Sequence, residues 1–253
     1  MPVHDTYGWI PELPDHRDHL YAAPPEVMAK LSKKKDLRPG CPPVYTQGKL
    51  NTCTAQAIAA AIQFDLKKQG APIFMPSRLF VYYNERELNG TVASDAGARI
   101  RDGIKAIARR GVCPESEWPY DPAKVTHKPT APCYKIGKKF KALSYKKLAQ
   151  TSLHELKGCI ASGYPFVFGF TAYHSFRSDA VAKTGHLQMP KPKEKANGGH
   201  AVMAVGYDDS SERFIVRNSW DKDWGIKGYF TMPYAYITNL HLTHNFWTIR
   251  VVS

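Results

Sequence analysis

Apolar residues recur at helical spacing in the first half of the chain and crowd into short β-rich runs in the second. Between residues 54 and 69 good helix formers carry Ile58, Ile62 and Leu66, and Gly70 stands where helices stop. Ser77 is a candidate N-cap for a helix over 78–88, closed by Asn89-Gly90. Ile100, Ile104 and Ile107 share one face of a third helix that ends at Gly111. A turn-rich passage follows, through Trp118-Pro119-Tyr120-Asp121-Pro122 to Pro129 and Pro132. Ser152 and Glu155 have capping-box spacing and open a short helix that ends near Gly163. Beyond it, 165–170, 200–207, 213–217, 228–232 and 246–252 are strand-like runs of Val, Ile, Phe and Tyr. Helices first and antiparallel strands after predict an α+β chain rather than an alternating one.

Residues 1–40 differ from the rest. Proline and charge are frequent and periodicity is poor apart from a short helix over 25–34, so the segment reads as an extended arm ending in a basic linker. Trp9, Ile10, Leu13, Leu20 and Tyr21 give it apolar anchors that a pure linker lacks. The expected organisation is an arm over 1–40, a mainly helical lobe over 41–138 and a mainly β lobe over 139–253.

Composition changes this picture little. Lys and Arg number 35 against 22 Asp and Glu, a formal charge of +13, concentrated at 30–38, 135–147 and 183–195. These tracts lack interleaved aromatics and match no nucleic-acid motif, so they read as solvated surface and nucleic acid is not an expected partner. No run of eighteen apolar residues suggests a membrane span. The first residues lack the regions of a signal peptide, so the chain supplies no export signal and leaves its compartment open. The five cysteines, Cys41, Cys53, Cys113, Cys133 and Cys159, have no metal spacing. With Cys53 free, the other four could form up to two bridges.

Cys53 is placed at a helix start, where unpaired N–H groups and the macrodipole favour a thiolate. A single cysteine of this kind is ordinarily a buried structural residue. Two later segments change that reading: Asn197-Gly198-Gly199-His200-Ala201-Val202 puts a histidine at the mouth of a strand, and Val216-Arg217-Asn218-Ser219-Trp220 ends another on Asn and Trp.

The order Gln47, Cys53, His200, Asn218, with Trp118-Pro119-Tyr120, Trp224-Gly225 and Gly228-Tyr229, resembles the papain-like cysteine peptidase family, in its bacterial branch with a short N-terminal arm. The resemblance covers about residues 41–232. It implies a two-lobed fold, one lobe helical and one an antiparallel β-barrel-like sheet, with the active-site cleft between them. Cys53 would be the nucleophile of an endopeptidase working through a thioester, His200 its acid–base partner, Asn218 the residue orienting the imidazole, and Gln47 an oxyanion-hole donor. Trp220 would shield the His200–Asn218 bond at the edge of the substrate groove. Gly97, Gly169, Gly199 and Ala201 would line an open pocket without a built-in charge. No metal or cofactor is implied, the partner is a protein or peptide substrate, and a monomer is expected.

Three departures stand where substrate would lie. Leu50 removes the cysteine that usually staples this loop, Asn51 stands where Gly is usual and would tolerate positive φ, and Thr54 replaces a large aromatic. The arm either crosses the cleft with Trp9, Ile10 and Leu13 in substrate positions, making a latent precursor that deletion of 1–38 would activate, or packs on the back of a lobe. The insert 178–197 is a candidate rim or lid. Alternatives are an acyl transferase or amidase with the same triad, and a non-catalytic basic binding module on a peptidase fold.

Overall fold

The computed structural model describes residues 7–252; residues 1–6 of the expected arm, and Ser253, lie outside them. In chain order the elements are α1 (Pro25–Met28), β1 (Lys34–Asp36), α2 (Cys53–Lys68), α3 (Arg78–Glu87), α4 (Ile100–Arg110), α5 (Ala131–Gly137), β2 (Ala142–Lys147), α6 (Leu153–Ala161), β3 (Phe166–Tyr173), α7 (Asp179–Thr184), β4 (Ala196–Asp208), β5 (Arg213–Arg217), β6 (Tyr229–Pro233), α8 (Tyr234–Ile237) and β7 (Thr243–Val252).

The three helices of the first half form where periodicity placed them, with the expected punctuation. Ser77 Oγ accepts from Phe80 N at 3.2 Å at the start of α3, and Gly111 ends α4 at φ 73°, a conformation that suits glycine. α2 is buried along nearly its whole length. Its Ala59-Ala60-Ala61 run adds little bulk, which lets the helix pack against α3 and α4 on one side and β4 and β7 on the other. That central position carries Cys53, the first residue of α2, to the boundary between helices and sheet.

The second half is an antiparallel sheet of order β2-β7-β3-β4-β5-β6, with β1 pairing β4 beyond the end of β3. Its core is a stack of aromatic rings. Phe168 and Phe246 lie 5.0 Å apart and nearly parallel, and Phe166, Phe170, Phe214 and Phe230 are buried around them. Each such side chain contributes about 1.5–3 kcal/mol of burial.

Two strands depart from the sequence expectation. Lys34–Asp36 and Ala142–Lys147 lie in tracts read as basic surface, yet β1 pairs with Asp208–Gly206 and β2 with β7. Both are lysine-rich and β2 is an edge strand, where charge blunts further pairing. The helix expected over 25–34 is only α1, one turn long. At α6, Ser152 Oγ accepts from Glu155 N at 3.2 Å, as a capping box requires. The Glu155 carboxylate turns away to accept from Ala23 N at 2.8 Å and ties residues 19–40 to the β lobe.

Candidate active site

The loop before α2 is braced from several sides. Tyr120 donates to the Gln47 carbonyl at 2.8 Å and lies 2.7 Å from the Thr52 hydroxyl, so the Trp118-Pro119-Tyr120 turn buttresses the approach to Cys53. Gln47 N donates to Ser219 O at 2.9 Å and Ser219 Oγ donates to Gln47 Oε1 at 2.7 Å, a direct tie between the helical lobe and the end of β5. Gln47 Nε2 donates to Leu50 O at 2.9 Å. Asn51 does not adopt positive φ; that conformation falls on Gly48 at φ 60°. Asn51 instead grips Asp95 through its backbone N and its side-chain amide. The Thr54 hydroxyl donates to Glu85 Oε1 at 2.6 Å, filling the place of the absent aromatic with a buried polar pair.

Across from this loop, β4 carries His200 and the end of β5 carries Asn218. His200 Nε2 lies 2.8 Å from Asn218 Oδ1, which also accepts from Ser219 N at 2.9 Å, so the imidazole Nε2 is the donor in that pair. Trp220 lies over the imidazole with ring centroids 5.0 Å apart, and Phe170 and Phe176 close its other sides. The whole group is inaccessible to water: Cys53, Gln47 and His200 are fully buried. Burial pushes the Cys53 thiol up to about 12, with the backbone N–H groups of Ala201, Gly8 and Thr54 acting in the opposite direction. Cys53 starts α2, which packs against β4, the strand of His200, and Gln47 is tied to Ser219 beside Asn218, so the four residues come to the same junction of helix and sheet.

Gly8 belongs to the arm. Gly8 O accepts from Ala98 N at 2.7 Å, Ile10 N donates to Ala98 O at 2.9 Å, and Trp9 N donates to Gly199 O at 3.0 Å. The arm thus lies in the cleft as a short parallel partner of the Ala98 segment. The fit depends on absent side chains: a Cβ on Gly8 would come within 1.8 Å of Asn51 O, and one on Gly169 within 1.9 Å of the Trp9 indole. Trp9 fills the pocket between Gly169 and Gly199 and is 5 % exposed. Tyr7 sits edge-on to His200 at 5.8 Å.

Of the three expected anchors, only Trp9 enters the cleft. Ile10 is 38 % exposed and Leu13 81 %, because the arm holds on through backbone ladders and ion pairs rather than an apolar stripe. The pocket is also not free of titratable groups. His244, which no motif marks, stacks on Trp9 with centroids 6.2 Å apart and planes at 18°, and burial lowers its pKa. Gly97, at φ 77°, approaches the Gly8 carbonyl, and Ala201 is buried. The insert 178–197 folds partly into α7 and is tied back by Glu194, whose carboxylate accepts from Ser175 N and Lys191 N. All five cysteines are free thiols. Among the described residues no cluster of metal-binding side chains occurs and no helix is long and apolar enough to cross a membrane.

Comparison with known proteins agrees with this geometry. The family described as papain family cysteine protease matches residues 32–246. A peptidase C1-like protein of Acanthamoeba polyphaga mimivirus is 39% identical, over 98% of this chain and 88% of its own. Cathepsin K of Gallus gallus is 27% identical, with 74% of this chain matching 54% of the relative. Among solved structures, xylellain, a cysteine protease from Xylella fastidiosa, superposes with a TM-score of 0.91 at 44% identity, covering 99% of this chain and 98% of that one. The Trypanosoma congolense proCathepsin B structure, at 18% identity and a TM-score of 0.74 over 94% and 85% of the two chains, shares the fold. With its two-lobed α+β fold and hydrolase kin, the chain belongs to the papain family of cysteine proteases.

Proposed function

We propose that this protein is a cysteine endopeptidase held latent by residues 7–18. Asn218 engages the imidazole Nε2, so proton exchange with the Cys53 thiol falls to His200 Nδ1. The thiolate attacks the scissile carbonyl, and the oxyanion is met by the Cys53 N–H at the start of α2 and by the Gln47 amide. An amide nitrogen carries two protons, so Gln47 Nε2 can keep its bond to Leu50 O while the second serves the oxyanion. The imidazolium protonates the leaving amine, leaving a thioester on Cys53. His200 then takes a proton from the water that hydrolyses it.

The observation that carries the latent reading is the main-chain course of the arm through the cleft. Gly8 O accepts from Ala98 N, Ile10 N donates to Ala98 O and Trp9 N donates to Gly199 O, so the Gly8 carbonyl is committed to Ala98 N. A segment bound this way excludes substrate without being cut. The test is labelling by a cysteine-directed epoxide with peptide mapping, in the full chain and in a chain lacking residues 1–18. Fast, Cys53-selective labelling only after deletion is expected; equal labelling of both forms rejects latency, and no preference for Cys53 in either rejects the nucleophile. Product analysis in the presence of an added amine separates hydrolysis from acyl transfer.

A further inference from the structure

The arm is fastened a few residues beyond Trp9, and the fastening is a carboxylate. Glu12 Oε1 accepts from Arg101 N at 2.6 Å, and Glu12 Oε2 accepts from the Trp247 indole Nε1–H at 3.2 Å with the Arg101 guanidinium 3.7 Å away. The Glu12 side chain is fully buried and that of Arg101 is nine-tenths buried. Arg101 N is one of the orphan donors of the first turn of α4, whose N-cap, Arg99, offers no side-chain acceptor. Glu12 thus supplies from a distant segment the negative charge that the helix start and its macrodipole favour. Arg101 also donates to Leu13 O at 2.9 Å and pairs with Asp18 at 2.6 Å, while its Nε meets no acceptor among the described residues.

Every donor in this cluster belongs to the folded lobes, not to the arm. Arg101 lies on α4 and Trp247 on β7, so the two lobes meet there. Lys147 and Lys105 stand at its rim, 3.1 Å from Asp18 and 3.7 Å from Asp15. The cluster lies just past Ala98, whose backbone holds the arm in the cleft. Withdrawal of residues 7–18 leaves the Arg101 guanidinium, a helix start and an indole N–H facing the groove without their anion, a set of donors that another anion can engage.

We infer that the start of α4 with Arg101 and Trp247 is a carboxylate-binding subsite of the substrate groove, occupied by Glu12 in the closed form and by an acidic substrate side chain in the open one. The substrate class is a peptide with an aromatic residue in the Gly169–Gly199 pocket and Glu or Asp three residues farther from the scissile bond. This inference rests on the latent reading, since the site opens only when the arm leaves.

The test uses the chain lacking residues 1–18 and two fluorogenic peptides that differ only in Glu or Gln at that position. Assays run at pH 8, because burial pushes the pKa of a carboxyl in this site upward while Arg101 pulls it down. The Glu peptide is expected to have a kcat/KM about 10-fold higher, the size of a charge-assisted contact. The advantage should shrink with salt, fall to near unity in Arg101→Ala and be halved in Trp247→Phe. Equal rates for the two peptides overturn the subsite. A second readout needs no catalysis: a synthetic peptide of residues 7–18 is titrated against the shortened chain, and its Glu12→Gln form should bind about 10-fold more weakly. Equal binding of both forms again rejects the subsite, whereas unchanged peptidase activity on deletion rejects latency instead. Where deletion costs the fold, the full chain carrying Gly8→Val and Glu12→Gln is read with the same two substrates.

Discussion

Residues 7–18 and 19–40 are consecutive, the first net acidic and the second net basic, and they are attached in opposite ways. The first stretch lies in the cleft through main-chain bonds at Gly8, Trp9 and Ile10 and the Glu12 and Asp18 ion pairs, and it leaves Leu13 in water. The second is part of the β lobe. Tyr21 N donates to Lys147 O at 2.8 Å, Ala23 and Met28 close on Gly158, β1 extends the sheet, and Leu37 is buried with its N bonded to Val205 O at 2.7 Å. One half adds to a finished surface; the other finishes it. The change in how the arm is attached therefore lies near residue 18 rather than near 40.

The harshest test of that boundary is to remove both halves. Deleting residues 1–38, which from sequence alone should activate the enzyme, is expected to expose the β4 edge and the core under Leu37, and to yield unfolded or aggregated protein by circular dichroism and gel filtration. Soluble, active protein would erase the distinction. Deleting only residues 1–18 should keep the fold and raise kcat/KM by about 100-fold, the gain when a site open about 1% of the time is freed. The same deletion should change the pH dependence of thiol alkylation. In the full chain burial holds the thiol up to about 12, so the thiolate appears only as the pH climbs toward that value. Without the covering arm, Cys53 should react near neutral pH through its pairing with His200.

Smaller changes grade the first half. Trp9→Ala empties the Gly169–Gly199 pocket while leaving the Glu12 clasp, and should raise activity of the full chain about 10-fold, as loss of part of a buried indole weakens the closed form. Leu13→Ala, at an exposed position in the same stretch, should change activity less than about 2-fold and stability less than about 0.5 kcal/mol. Similar effects from the two substitutions would mean that the Trp9 indole adds nothing to the main-chain bonds and ion pairs that seat the arm.

The parts of this design that were legible in sequence are those written locally. Ser77 and Gly111 mark helix ends by their own chemistry, and Cys53, His200 and Asn218 announce themselves by order and neighbours. β1 and β2 were not legible because lysines on edge strands look like any solvated charge run. The clasp was hidden for a different reason. Glu12 meets partners 89 and 235 residues away, and nothing near Glu12, Arg101 or Trp247 in the chain marks them as neighbours. Leu13 misled because an apolar residue in an extended arm promises a contact that this arm makes with its backbone carbonyl instead. The Asn51 side chain, suited to positive φ, was taken for Asp95 once Gly48 supplied the turn.

The continuity of the two halves of the arm has a kinetic consequence. While joined to the anchored half, residues 7–18 meet the cleft at an effective concentration of order mM, so any opening is first-order and quickly reversed. Arg17 and Leu20 are exposed on the connecting stretch, and one peptide-bond cleavage there would turn the return into a second-order encounter. At micromolar enzyme the freed segment would then be diluted about a thousandfold below its tethered level. The same contacts that make a firm lock in one molecule would make a weak inhibitor in two.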